Sequence, residues 1–253
     1  MEYPLSEEHQ IFRETMKRFV DEEMIPFEME TCGADGELKP EWKEKYHARA
    51  KELGLWKMEV PEEFDGVGAD LISLCIVWEQ LGRTIAVPTR GLGGIMGPQE
   101  RAPLYELNEE MKELYLYPVL NGDKKACFAQ SEPDAGGDPS RMRTTAVLDG
   151  DEYVINGTKQ WITDAGNADF AQLLAVTDKE KGSRGGISMF LVDMNSPGVS
   201  ITGQFDTMMG DKPYQIHFDN VRVPIEKRIG EEGQGFALGQ RFLANGRLKH
   251  GSR

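Results

Sequence analysis

The sequence has few cysteines and histidines and no long apolar run. Its three cysteines, Cys32, Cys75 and Cys127, are scattered without metal-ligand spacing, and their sparse, odd number favours reduced thiols and a cytoplasmic protein. The four histidines are equally scattered and form no recognisable ligand set. No apolar stretch approaches the roughly 20 residues that span a bilayer, so membrane insertion is not expected. The acidic opening MEYPLSEEHQ also lacks the basic-then-apolar pattern of an export or transit signal.

Negative charge exceeds positive charge, with 43 Asp and Glu against 29 Lys and Arg. The formal net charge is −14, and binding to nucleic acid requires clustered Lys and Arg, so nucleic acid is not expected as a partner. An anionic ligand would need a local basic patch, which Lys179, Lys181 and Arg184 could supply. The alternative, a solvated loop between strands, is favoured because Gly/Lys/Ser loops of this kind are common.

The first 120 residues carry helical patterns. Ser6 is suited to cap a helix whose first turn contains Glu7 and Glu8, next to the positive end of the helix dipole. Apolar residues then recur at helical spacing, and Gly54 and Gly82 are suited to end later helices. The glycine-rich stretch 91–97 weakens any helix through it. The predicted helices begin after Ser6 and run over about 40–53, 70–81 and 108–117.

From about residue 124 the pattern changes to short runs of β-branched and aromatic residues. Glycine-containing pairs bound these runs as turn signals: Asp149-Gly150, Asn156-Gly157, Gly185-Gly186 and Pro197-Gly198. Six to eight strands at this spacing predict an antiparallel sandwich or barrel. A further helix is predicted from near Phe236. The fold class is therefore α+β, with a helical domain over 1–122, a β domain over 123–230 and the start of a C-terminal helical domain over 231–253.

Residues 127–163 contain the most informative motifs, CFAQSEPDAGGD and NGTKQWIT. Residues two apart in a strand share a face, so Trp161 and Thr163 are predicted to address one ligand together. An aromatic surface with a nearby hydrogen-bond donor suits a flat redox heterocycle, and Gly136-Gly137 allows close backbone approach by a pyrophosphate. These residues predict part of a flavin site. Glu132 and Asp138 are interpreted as structural groups that bind loop amides.

Taken in order, these motifs resemble the acyl-CoA dehydrogenase family over nearly the whole chain. RFVDEEMIP, the stretch from LGLWKMEV to WEQLGR, the two flavin motifs, and FDNVRVP with IGEEGQGF each resemble a family segment. The resemblance implies a helical domain, a central β domain and a C-terminal helical bundle, usually assembled as a tetramer. It also implies non-covalent FAD, an acyl-CoA substrate and electron-transfer flavoprotein as the electron acceptor.

The resemblance also implies roles for individual residues. Trp161 would lie against the ring system, Thr163 would donate to N5, and Gly136 and Gly137 would approach the ribityl–pyrophosphate portion. Arg247 matches a helix arginine of the family that orients the catalytic carboxylate or its loop. Along the pyrimidine edge of the flavin the resemblance places Phe128, Gln130 and Ser131.

Three positions depart from the family pattern. Gly137 replaces the usual Ser or Thr, Gly246 stands where some members carry a catalytic glutamate, and Ala244 replaces an aspartate implicated in holding pantetheine. No catalytic base is therefore assigned in this chain. Two alternatives to an acyl-CoA dehydrogenase remain open: a non-catalytic or partner-dependent subunit of a hetero-oligomer, and a flavin oxidase or monooxygenase on the same scaffold.

Overall fold

The computed structural model describes residues 4–31, 33, 38–85, 97, 102–207 and 212–252. Two compact units make up the chain: Met1–Glu100 with Ala244–Arg253, and Arg101–Leu243. Helices form the first unit and an eight-stranded sheet dominates the second, which confirms the predicted α+β class. Within the described residues, no helix is both long and apolar enough to cross a membrane.

The helices begin and end close to the predicted positions. Ser6 caps α1 by accepting a hydrogen bond from the His9 backbone N–H, and Asp70 caps α4 by accepting from Ile72 and Ser73. Most of the predicted glycine-rich stretch 91–97 lies outside the described residues. The α-helices are α1 (Glu7–Phe19), α2 (Glu28–Thr31), α3 (Pro40–Glu52), α4 (Leu71–Leu81), α5 (Glu109–Met111), α6 (Tyr117–Asn121) and α7 (Gly235–Ser252). Short 3-10 or π segments connect several of them, including Val20–Met24, Ala102–Glu106 and Lys112–Leu116.

The helical unit has its own apolar core, to which α1, α3 and α4 all contribute. Met16 and Phe19 of α1 pack in it with Tyr46 of α3 and Trp78 of α4. This arrangement follows from the helical spacing of the apolar residues, which places them on one face. Ile11 belongs to the same sequence pattern but is 62% exposed, so the buried stripe is narrower than the apolar pattern.

The sheet of the second unit has the strand order β6-β7-β3-β2-β4-β5-β8, with β1 paired to β4. Most neighbours are antiparallel, but β1 runs parallel to β4, and β2 meets β4 in a parallel pairing at Thr145 and Val176. The parallel pairings were not predicted. The strands are β1 (Ala126–Ala129), β2 (Thr145–Asp149), β3 (Glu152–Ile162), β4 (Phe170–Val176), β5 (Ile187–Asp193), β6 (Val199–Gln204), β7 (Tyr214–Pro224) and β8 (Arg228–Ile229).

One predicted turn is confirmed and another is wrong. Asp149 pairs with Glu152, so Gly150 and Asp151 form a two-residue hairpin turn, and Gly150 takes φ +68°. Asn156-Gly157 forms no turn, because β3 runs through it. The register against β7 shifts there, which is a β-bulge, and glycine supplies the φ of +153°.

The two faces of the sheet near β4 pack against different partners. Ala171, Leu173 and Ala175 face the main core of the β unit. On the other face, Phe170 packs edge-on against Tyr115, with ring centroids 4.9 Å apart. The first turns of α7 lie on that face too, where a Cβ on Gly239 would come within 3.2 Å of Leu174.

Candidate functional site

The loop between β1 and β2 folds into a tight turn. Glu132 and Ala135 exchange two backbone hydrogen bonds, with N···O distances of 3.0 and 3.2 Å. Asp138 then closes the following turn, because its Oδ1 accepts from the Ser140 backbone N–H at 3.0 Å and from the Ser140 hydroxyl at 2.6 Å. The Glu132 carboxylate accepts from the backbone N–H groups of Arg143 and Thr144, so both carboxylates bind backbone amides, as the sequence predicted for them.

Some backbone donors in this loop lack partners within the described part of the chain. Neither Gly136 nor Gly137 donates a backbone hydrogen bond there, and the same holds for Ser131. A Cβ on either glycine would meet no atom within 4 Å. Successive unpaired N–H groups in an open turn are suited to bind an anion.

A second segment, the end of β3, lies directly beside this loop. The Gln160 backbone N–H donates to the Ser131 carbonyl oxygen at 2.9 Å. Ser131 and Trp161 are thus brought together, although 30 residues of sequence separate them. The Ser131 hydroxyl forms no hydrogen bond with another described residue.

The predicted strand alternation between Trp161 and Thr163 is wrong. β3 ends at Ile162, and its register against β7 shifts between Lys159 and Ile162. Trp161 takes a left-handed φ of +64°, and Thr163 lies beyond the strand. Because the period of two applies only to regular strand, it does not determine their directions. That both contact one ligand stays a prediction.

Trp161 and Thr163 are nevertheless accessible. The Trp161 side chain is 53% exposed and packs against Phe205, with ring centroids 4.6 Å apart. Thr163 is also exposed, and its hydroxyl has no hydrogen-bond partner among the described residues. An exposed indole and an available hydroxyl at one strand end can supply an aromatic surface and a donor.

Phe128 and Gln130 lie at the other side of this loop, under α7. The Phe128 ring stacks on Phe242 with centroids 4.2 Å apart. Gln130 Oε1 is buried and has no hydrogen-bond partner among the described residues, and a Cβ on Gly239 would stand 3.2 Å from it. A buried acceptor without a donor is costly, by about 1–3 kcal/mol. A ligand with an N–H group, such as the pyrimidine edge of a flavin, would satisfy it.

Sequence reasoning missed the buried ion pair that underlies the site. Lys159 of β3 is fully buried, and its Nζ lies 2.8 Å from Glu132 Oε1. Burial lowers the pKa of Lys159 to about 8, against the attraction of Glu132. Burial alone would raise the pKa of Glu132, but the Lys159 charge and hydrogen bonds from Lys159, Thr144 and Arg143 hold it below its ordinary value. The burial of Lys159 could have been inferred from its spacing, because it continues the alternation of core-facing residues that Tyr153 and Ile155 begin.

Three other residues that could have bound a ligand lie on exposed surface. Arg247 is an exposed residue of α7. Lys181 of the basic loop forms an ion pair with Asp178 at 2.9 Å, which agrees with a solvated loop. His217 binds the Thr158 hydroxyl at 3.0 Å on an exposed strand face. Within the described ranges no group of His, Cys, Asp or Glu side chains could hold a metal ion.

Two family models match the chain. "Acyl-CoA dehydrogenase, N-terminal domain" covers residues 6–123, and "Acyl-CoA dehydrogenase, middle domain" covers residues 127–221. The short-chain specific acyl-CoA dehydrogenase of mouse mitochondria is 34% identical over 96% of this chain and 58% of its own length. The chain therefore spans less than two thirds of that relative.

Solved structures share the fold. A putative acyl-CoA dehydrogenase from Mycobacterium abscessus superposes with a TM-score of 0.84 at 27% identity, covering 99% of this chain and 67% of that one. Butyryl-CoA dehydrogenase from Megasphaera elsdenii gives a TM-score of 0.75 at 28% identity, covering 100% of this chain and 66% of the other.

Proposed function

Because this chain belongs to the acyl-CoA dehydrogenase family, we propose that it binds FAD and forms the flavin-binding portion of an acyl-CoA dehydrogenase. The reaction would be α,β-desaturation of an acyl-CoA thioester. One observation carries the proposal: unpaired backbone donors at Ser131, Gly136 and Gly137 lie in a turn bonded directly to the strand end that exposes Trp161. Such a site offers an anion-binding turn beside an aromatic surface.

Each part of the site has a distinct task in this proposal. The Gly136-Gly137 turn would hold the pyrophosphate, and Phe128, Gln130 and Ser131 would hold the pyrimidine edge. Trp161 would cover the ring system and exclude water, while the Thr163 hydroxyl would donate to N5. When bound, the flavin supplies the acceptor for the β-hydrogen, which leaves as hydride.

An α-proton of a thioester is a weak acid, so its removal needs hydrogen bonds to the thioester oxygen and exclusion of water. We assign no residue of this chain as the base, since Gly246 occupies the position of one family glutamate. Arg247 would orient the base or its loop. Electrons would pass to an electron-transfer flavoprotein, and a homo- or hetero-oligomer in the cytoplasm is expected.

Gly246 and Gly137 favour a second candidate, a partner-dependent subunit whose other chain supplies the base. The absorbance spectrum of the purified protein separates the candidates. A yellow protein that bleaches anaerobically with an acyl-CoA supports the dehydrogenase. A protein that becomes yellow only with a second polypeptide supports the subunit. A yellow protein that is indifferent to acyl-CoA but rapidly reoxidised by air supports an oxidase or oxygenase.

A further inference from the structure

Lys159 is a buried cation beside the loop that contains Ser131. Its ammonium donates to the Gln130 carbonyl oxygen at 3.0 Å and to Glu132 Oε1 at 2.8 Å. Glu132 in turn accepts from the Thr144 backbone N–H at 2.9 Å and from that of Arg143 at 2.6 Å. This network links β3, the loop after β1 and the residues that enter β2.

Stability alone does not account for such a pair. Moving two charges from water into a protein interior costs several kcal/mol each, and replacing a buried pair with apolar residues of similar volume is often neutral or stabilising. Lys159 also points at one particular peptide group. That group adjoins Ser131, which the proposed function assigns to the pyrimidine edge of the flavin.

The Gln130 carbonyl and the Ser131 N–H belong to the same peptide unit. The described chain contains no cis peptide bond, so the C=O and N–H of this planar unit point in opposite directions. Lys159 holds the carbonyl end. The N–H end has no acceptor among the described residues. A cation on the oxygen polarises the peptide and makes its N–H a stronger donor, because linked hydrogen bonds reinforce one another.

We propose that Lys159 is a positioning residue that orients and polarises the Gln130–Ser131 peptide, so that the Ser131 N–H stabilises negative charge on the pyrimidine edge of the reduced flavin. Glu132 holds the ammonium in place. This inference rests on the proposed FAD site and concerns how readily that flavin is reduced. The effect acts in the reduced state more than in the oxidised state, since only the former carries the added charge.

The test compares the reduction potential of the bound flavin in three variants, measured by anaerobic reduction against a reference dye. Lys159→Met/Glu132→Gln is a neutral pair that removes both charges together; Glu132→Gln alone is unsuitable, because the attraction of Glu132 opposes the burial that lowers the pKa of Lys159. Relative to the unaltered protein, the ratio of reduced to oxidised flavin in this neutral pair at a fixed potential should fall about tenfold, or ~30 mV for two electrons, because Lys159 is the group that donates to the Gln130 carbonyl.

Lys159→Gln/Glu132→Gln is the second neutral pair, and its amide can still donate to the Gln130 carbonyl. It should show a similarly lowered potential while retaining flavin, and it decides the comparison if the methionine variant does not fold. The matched control is Arg143→Gln/Asp134→Asn, which removes an exposed ion pair of 2.9 Å in the same segment. Its potential should match that of the unaltered protein.

Equal potentials in the unaltered protein and in the folded neutral pairs would overturn the role of Lys159. A folded neutral pair that loses flavin while Arg143→Gln/Asp134→Asn retains it would support the role, because that control removes an ion pair of the same segment without changing Lys159. An unaltered protein that takes up no FAD would instead reject the proposed function itself. The flavin content of the unaltered protein therefore separates the two failures.

Discussion

Trp161 shows how a single residue can occupy a costly conformation at a candidate site. A non-glycine residue in the left-handed region costs on the order of 1–3 kcal/mol, and it persists only where its surroundings enforce it. Here the register shift between Lys159 and Ile162 and the packing against Phe205 do so. The indole is half exposed as a result, although indoles usually bury most of their surface.

Replacing Trp161 with Ala should slow flavin reduction without unfolding the protein. An exposed side chain contributes little burial, so the free energy of unfolding should change by less than about 1 kcal/mol. Thr163→Val should behave in the same way, because it removes only a hydroxyl. Stopped-flow flavin reduction and thermal unfolding check both variants. Unchanged reduction rates in both would remove this strand end from the flavin site.

Asp70 gives a pH-dependent prediction at one residue. Burial alone would raise the pKa of this carboxyl, but hydrogen bonds from Ser73, His9 and Ile72 lower the pKa to about 2. The folded-state pKa lies below the ordinary 3.8, so the charged carboxylate stabilises the fold fully above about pH 4. That contribution is lost as the pH falls through about 2.

The variant Asp70→Asn isolates this charge, because asparagine is also a good N-cap. At pH 6 it should lower the free energy of unfolding by about 0.5–1 kcal/mol, a value discounted for solvent screening of a half-exposed group. The difference should vanish near pH 2. Denaturant unfolding at both pH values measures it, and a difference independent of pH would contradict the prediction.

Single residues also mark the limit of what the sequence could predict for the site. Gly136 and Gly137 were predicted from turn and anion-binding chemistry, which depends on local residue types, and Ser131 from the family resemblance. The direction of Trp161 could not be predicted, because a bulge depends on pairing with β7, more than 50 residues later. Lys159 was missed because its partner Glu132 is close only after β3 and the loop pack together.

At the scale of elements, local signals predicted most of the helices and strands. The cap at Ser6 and apolar spacing predicted helices, and turn residues predicted strand ends such as Asp149, although Asn156-Gly157 lies within β3. Pairing was not predictable in the same way. β1 is only four residues long and lies parallel to β4, a long-range contact that no local pattern encodes.

The β3 bulge makes Gly157 the sensitive position of that element. A Cβ there would stand 2.4 Å from Thr144 Oγ1 and 2.7 Å from Thr144 Cα, at a φ that disfavours other residues. Gly157→Ala should therefore lower the free energy of unfolding by about 2–3 kcal/mol through overpacking and backbone strain.

Gly137→Ala is the matched control, because no atom lies within 4 Å of its added Cβ. It should change the free energy of unfolding by no more than about 0.5 kcal/mol. Denaturant titration of both variants measures the contrast. Equal costs at the two positions would show that the close approach of β3 to Thr144 is not rigid.

At the scale of the whole molecule, the net charge of −14 should make stability depend on salt. Excess like charge destabilises a compact state through self-repulsion, and salt screens it over about 10 Å at 0.1 M. The thermal midpoint should rise by about 2–4 °C between 10 and 150 mM sodium chloride, which corresponds to roughly 1 kcal/mol. Potassium chloride should give the same rise in the thermal midpoint, because screening depends on ionic strength and not on which cation is present. A midpoint that is flat or falls with salt would contradict this.

The position of β7 between β6 and β3 has a consequence for biosynthesis. β3 leaves the ribosome well before the partner that covers its open edge, and an uncovered edge invites pairing with other chains. A nascent chain halted before Tyr214, where β7 begins, would therefore expose that edge and be a substrate for chaperones. Native folding of the sheet must wait until translation has passed this point.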